Sequence, residues 1–219
     1  ETALILRLME DGKLKLDEPV QTYCEDFPKK KWPVTTRQLL GHLGGVRHYK
    51  AAGEATSTQH FFNLKSALSV FKNDPLVHEP GTKFQYTSFG YNLLGSIAEG
   101  AGEATFMTQL GEQVLKPCGM KHTRTDDHFA VIPDRARGYL RFKKGSLPRS
   151  VLQFTLKPDT LYRSTLHDTS MKIPGGGLVA TSGDLVRFAT SLNRGEILNA
   201  ATLDLAWTCL LYTSDAADD

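Results

Sequence analysis

Between Pro80 and Gly95 the chain reads Pro-Gly-Thr-Lys-Phe-Gln-Tyr-Thr-Ser-Phe-Gly-Tyr-Asn-Leu-Leu-Gly, and no other stretch restricts its fold as tightly. Pro80-Gly81 marks a turn. Phe84 and Phe89 flank the small polar group Tyr86-Thr87-Ser88, and Tyr91, Leu94, Ile97 and Ala98 follow at helical spacing. The pattern predicts a helix from Phe89 to about Glu99 with one phenol, Tyr86, at its lip. A turn, an aromatic and a helix start in that order are how an enzyme mounts an acid/base group.

Helices dominate the remainder. Residues Thr2 to Leu14 begin apolar on nearly every face, as in a buried helix, and Gly12 supplies a stop. Lys13-Leu14-Lys15-Leu16 alternates like a short exposed strand. Thr35 or Thr36 is placed to cap a short helix through Leu39, Leu40 and Leu43, ended by Gly44-Gly45. Further helices are expected over Leu64 to Phe71 and over Thr105 to Leu115, the latter closed by Pro117. Thr181-Ser182-Gly183-Asp184 reads as a capping box before Leu185, Phe188, Ala189 and Leu192, with Gly195 as terminator. A last helix is expected over Ala200 to Trp207. Arg137 to Phe142 and Val151 to Leu156 are rich in β formers and suggest a hairpin-like pair.

Composition excludes several classes. The 219 residues are 40% hydrophobic and 23% charged, and no apolar run approaches the roughly 20 residues of a membrane-spanning helix. The net charge of +2 rises to +5 once Asp215, Asp218 and Asp219 near the C-terminus are set aside. Lys29-Lys30-Lys31, the tight basic cluster, lies between Pro28 and Pro33 in an expected surface loop without the aromatic interleaving of a nucleic-acid face. Cys24, Cys118 and Cys209 stand too far apart for a CxxC metal site or a disulfide framework.

Three blocks occur in order: Thr35-Thr36-Arg37-Gln38-Leu39-Leu40-Gly41-His42-Leu43-Gly44-Gly45-Val46-Arg47-His48-Tyr49, then Tyr86-Thr87-Ser88, then Pro174-Gly175-Gly176-Gly177-Leu178-Val179-Ala180-Thr181-Ser182-Gly183-Asp184-Leu185. Together they resemble the serine β-lactamase and penicillin-binding-protein superfamily, in the branch of class C β-lactamases, serine esterases, D-aminopeptidases and mitochondrial serine β-lactamase-like proteins. The likeness runs from residue 1 to about 208. It implies an α+β fold, here chiefly the helical domain and adjoining segments, with most of the antiparallel sheet missing. Residues 209 to 219 lack helical or strand periodicity and are expected to be a non-native, sequencing-derived tail.

The resemblance implies a serine hydrolase that cleaves an ester or amide through an acyl-serine intermediate. Tyr86 would carry a proton between nucleophile and leaving group, and Ser88 would face substrate or the family's lysine. A free tyrosine, with a pKa near 10, is a poor base at neutral pH without a cation beside it. In the family that cation is the lysine of a Ser-x-x-Lys tetrad at the start of a buried helix. By the resemblance this lysine falls about a turn before Glu1, so the sequence reads as a fragment that is itself inactive. The oxyanion donors, from the nucleophile and a C-terminal strand, would also lie outside it. Ser69-Val70-Phe71-Lys72 matches the string but lies too close before Tyr86, with Pro75 and Pro80-Gly81 behind it, and is expected to be a surface decoy.

Each residue has a competing account. Tyr86 could be a part-buried core aromatic, and the three ordered motifs decide against that reading. For Ser88, cleft contact and helix capping both stay open. His42, between leucines, reads as a hydrogen-bonded packing residue, and His48, His78, His122 and His128 lack metal-ligand spacing. Gly175-Gly176-Gly177 lacks the Gly-Lys-Ser/Thr of a phosphate loop and is expected to pack its backbone tightly beside the cleft. No cofactor or metal is implied, and the expected partner is a small-molecule or peptide substrate. The alternatives are a non-catalytic β-lactamase-like scaffold that self-assembles, or an unrelated helical binding module.

Overall fold

A computed structural model describes residues 1–141, 157, 159–164 and 167–208. Cys209 and the rest of the expected tail lie outside the described residues, as does the expected strand at 151–156. The chain divides into one unit of residues 1–127 with 168–219 and a second of residues 128–167.

In the first unit, α1 (Thr2–Glu10) buries Leu4, Ile5 and Leu8 completely. Such a helix holds by packing on every side, and it stops where Gly12 adopts φ +71°, a conformation that glycine reaches without steric cost. Beyond it Leu14 and Leu16 turn inward and Lys13 and Lys15 outward, as the alternation predicts, but no strand forms. The Lys15 amide goes to the Tyr23 hydroxyl and the Leu16 carbonyl to the Arg37 amide, which leaves no ladder.

The next helices are short. Thr35 caps α2 (Thr36–Leu40) in a reciprocal capping box with Gln38. This helix ends before Leu43, because Gly41 closes it and His42 takes φ 56°. α3 (Ala52–Ala55) and α4 (Leu64–Leu68) follow, the latter three residues shorter than its pattern suggests. α5 (Ser88–Gly102) is the central helix, one residue longer at its start and three at its end than the sequence predicts. It buries Phe89, Leu93, Leu94 and Ile97 completely and packs on α1, α2 and α4. The expected helix at 105–115 splits into α6 (Phe106–Leu110) and a π turn, Gly111–Leu115.

β1 (Arg124–Thr125) pairs antiparallel with β4 (Leu178–Val179). Thr181 caps α7 (Ser182–Asn193), as predicted, and α8 (Ala200–Trp207) forms over its expected residues, with Asn199 as its cap. The Asp184 carboxylate does not close the capping box; it accepts from the His122 amide and the Thr123 hydroxyl. In the second unit, β2 (Tyr139–Arg141) pairs antiparallel with β3 (Leu161–Arg163), so its described partner lies well beyond the expected one.

Among the described residues the regular elements are thus mainly helices, with two short antiparallel ladders. Cys24 and Cys118 are buried free thiols. The Lys29-Lys30-Lys31 cluster is partly consumed in packing: the Lys30 ammonium donates to the carbonyls of Lys72 and Asp74, and that of Lys31 lies over the Trp32 ring.

Candidate active site

Two loops converge on the start of α5. Residues 42–48 run beside residues 77–87 through hydrogen bonds from the Val77 amide to the Gly45 carbonyl, Gly81 to Leu43 and Gln85 to His42. This pairing brings Tyr86 out of the loop with the residue 57% exposed, so the core-aromatic account of Tyr86 does not apply. Its ring meets two imidazoles, His42 at a centroid distance of 4.7 Å and His48 at 5.6 Å, edge to face.

Thr87, not Ser88, caps α5. Its hydroxyl accepts the Gly90 amide and donates to the Arg47 carbonyl at 2.6 Å, and Thr87 is buried. Ser88 is the first helical residue, so the capping role left open for it is excluded. Its side chain is half-buried beside Tyr49, whose phenol burial pushes above the ordinary tyrosine range. The two backbone amides that open the helix have side-chain acceptors: Thr87 N–H donates to His42 Nδ1 at 3.3 Å and Ser88 N–H to His48 Nδ1 at 3.2 Å.

Arg47 anchors the histidine loop. Its nearly buried guanidinium donates to both Glu54 carboxylate oxygens at 2.9 Å, to Asp74 at 2.5 Å and to the Val70 carbonyl, and lies over the Phe89 ring at 4.9 Å. The Arg47 bonds hold the Asp74 carboxyl below its usual range. Burial pushes Glu54 up, but its bonds to Arg47 outweigh this and leave it lowered. Burial also lowers the pKa of His42, which stacks on Tyr91 at 4.8 Å.

The glycine loop closes the site from behind. A Cβ on Gly175 would stand 3.1 Å from Tyr91 Cβ and 3.2 Å from the Ser88 carbonyl, so the loop passes α5 at a distance only a bare backbone allows without adjustment. This is the tight packing the triple glycine predicts. Next to Tyr91 opens an apolar cavity of about 500 Å³ lined by Thr2, Leu6, Leu43, Phe84 and Trp207 among others. Burial beside Tyr91 raises the Glu1 carboxyl to about 8.

Ser69 is an exposed residue at the end of α4, with its hydroxyl committed to the Ser66 carbonyl, as expected of a decoy. Among the described residues no group of three His, Cys, Asp or Glu is placed to hold a metal, and no helix is long and apolar enough to cross a membrane. Tyr86 and Ser88 therefore come together on either side of Thr87, with Tyr49 and both histidines around them. Sequence reasoning reached His42 as a packing residue but not what it packs against. It missed His48 and Tyr49, whose partners lie about forty residues on and carry no local signal.

The sequence model of the β-lactamase family matches residues 2–218. The human mitochondrial serine β-lactamase-like protein LACTB is 27% identical over 259 residues, an alignment covering 87% of this chain and 45% of that protein. The D-amino acid amidase of Ochrobactrum anthropi SV3, solved with L-phenylalanine, superposes with a TM-score of 0.75 at 27% identity over 92% of this chain and 57% of its own. A penicillin-binding protein from Bacillus halodurans shares the fold, with a TM-score of 0.72 at 23% identity over 93% and 60%. The chain spans about half the length of the curated relatives it matches over most of its own.

Proposed function

The chain belongs to the β-lactamase family, and on that premise we propose that it carries the proton-transfer side of an acyl-transfer site for an ester or amide. Tyr86 is the acid/base residue. It takes the proton from a serine hydroxyl as that oxygen attacks the substrate carbonyl, and it returns the proton to the leaving group. Water then cleaves the acyl-serine ester. Ser88 offers a hydroxyl that can donate or accept beside the reacting atoms.

The observation that supports this reading best is the placement of Tyr86: an exposed phenol at the start of α5, ringed by His42 and His48. A packing tyrosine would be covered. The likeness to an amidase crystallised with an amino acid supports an amide or ester of a small acyl group.

We assign no nucleophile among the described residues, and the Ser69-Val70-Phe71-Lys72 string does not supply one, since the Ser69 hydroxyl donates to the Ser66 carbonyl. Residues 1–219 alone are therefore expected to hydrolyse p-nitrophenyl acetate and nitrocefin no faster than buffer. Turnover that survives Ser69→Ala would overturn this assignment. Tyr86 is tested in a chimaera in which residues 1–208 replace the matching segment of the Ochrobactrum amidase. Hydrolysis of a D-amino acid amide is expected, and Tyr86→Phe should lower it by about 10²- to 10⁴-fold, the usual share of a general acid/base. A chimaera that keeps its rate with phenylalanine at 86 would sink the role of Tyr86.

A further inference from the structure

Two imidazoles grip Tyr86 by the ring and the next two residues by the backbone. His42 and His48 each contact the Tyr86 ring, and their Nδ1 atoms accept the amides of Thr87 and Ser88. The coincidence is specific, because each histidine holds one amide that immediately follows the phenol. Tyr86 is an exposed side chain at the end of a loop, with soft torsions and little of the core to restrain it. Its aim therefore depends on the walls it touches.

We propose that His42 and His48 are positioning residues that clamp Tyr86 in its working orientation, and that the clamp holds only while both Nδ1 atoms carry no proton. A backbone N–H can only donate. Each Nδ1 must then be the acceptor, which places the ring proton on Nε2 in both histidines. Protonation would set an N–H against an N–H, release the first turn of α5 and place a cation against the phenol ring.

The surroundings of the rings set how this responds to pH. Facing His42 are the phenols of Tyr86 and Tyr91, the edge of Phe84, and behind Tyr91 the buried Glu1 carboxyl. Facing His48 are the phenols of Tyr49 and Tyr86, with Arg47 donating to the His48 carbonyl and Glu54, Lys50 and Asp74 in the network beyond it. No carboxylate contact to either ring is seen among the described residues, and burial of His42 favours its uncharged form. The assembly is a clamp that acid opens.

The proposal rests on the catalytic reading of Tyr86 for its purpose but not for its test. Residues 1–219 with ¹⁵N-labelled histidine are titrated by NMR, following the ring nitrogens, the Thr87 and Ser88 amides and the Tyr86 ring carbons. The expected result is the Nε2–H tautomer for both histidines at neutral pH. The Thr87 amide and Tyr86 ring should then shift at the midpoint of His42, and the Ser88 amide at that of His48. An Nδ1–H tautomer at either residue, or amides that ignore the ring titrations, would overturn the clamp. His48→Asn, which keeps an acceptor at the δ position without a titrating ring, should abolish the Ser88 shift and leave the fold's amide spectrum otherwise intact. In the amidase chimaera His48→Leu should lower kcat by the roughly 10²-fold that misplacing a catalytic group costs, while His48→Asn, which returns the acceptor for the Ser88 amide but not the ring wall, should recover part of that loss and leave an acid limb set by His42 alone. A chimaera indifferent to Tyr86→Phe but with a clamp titrating as described would refute the catalytic reading alone.

Discussion

The Thr87 hydroxyl donates to the backbone carbonyl of Arg47 at 2.6 Å, so the cap of α5 is also the fastening point of the loop that carries His48 and Tyr49. The same arginine crosses the Phe89 ring and collects Glu54 and Asp74. One buried cation thus organises the helix start, the histidine loop and the turn at residues 70–75.

Removing that cation should be costly. The Arg47 side chain is 8% exposed, while Glu54 and Asp74 are 21% and 27% exposed, so water relieves only part of the charge left behind. Arg47→Met is expected to lose about 3 kcal/mol, the low end for breaking a buried pair from one side. Arg47→Lys should recover little, because an ammonium cannot reproduce two parallel bonds to Glu54 and a third to Asp74. Urea unfolding followed by far-UV circular dichroism measures both, and an unchanged midpoint for Arg47→Met would refute the account.

Thr87 and Ser88 should separate cleanly by substitution. Thr87→Ala removes the cap on the Gly90 amide together with the buried bond to Arg47, and is expected to cost about 2 kcal/mol. Thr87→Ser keeps the oxygen and should restore most of it. Ser88→Ala leaves the cap alone and is expected to stay near 0.5 kcal/mol. The reverse order in thermal unfolding would place the cap at Ser88.

How much of this was legible in the sequence follows from the distance between partners. The caps of α2 and α7 were readable, the first to within Thr35 or Thr36, because Thr35 and Thr181 each answer to an amide three residues on. The burial of α1 was readable from an apolar run without a polar face. The strand expected at Lys13 to Leu16 failed because alternation reports which side chains go inward, not whether a neighbouring backbone stands ready to pair. At α5 the sequence offered Ser88 as the possible cap, and the fold gives that role to the preceding Thr87, a residue type that fits as well. His48 to Ser88 and Thr87 to Arg47 join positions 40 residues apart, and nothing in either local sequence announces the other.

Tyr86 should matter to chemistry and hardly to stability. Its phenol ring is exposed and its contacts are ring faces, which phenylalanine preserves. Tyr86→Phe is expected to unfold within about 0.5 kcal/mol of the parent, as surface substitutions usually do. A much larger loss would show the hydroxyl bearing structural weight and weaken its claim to proton transfer. Calorimetry of the parent and variant decides it.

His42 gives stability a sign with pH. Burial lowers its folded-state pKa below the value near 6.5 of an unfolded chain, so between the two values the unfolded state binds more protons. Its contribution is fully present above about pH 6.5 and is lost as pH falls through the lower folded value. Carboxyls held low, such as Asp74, add a similar loss further into acid, whereas Glu99, raised by burial, acts the other way. The His42 share must therefore be read as a difference. His42→Asn suits the purpose: asparagine tolerates the φ of 56° at this position and presents an acceptor to Thr87 without titrating. From pH 7 to 5 the parent should lose more of its urea midpoint than the variant, and equal losses in the two proteins would show that His42 takes no proton on unfolding in that range.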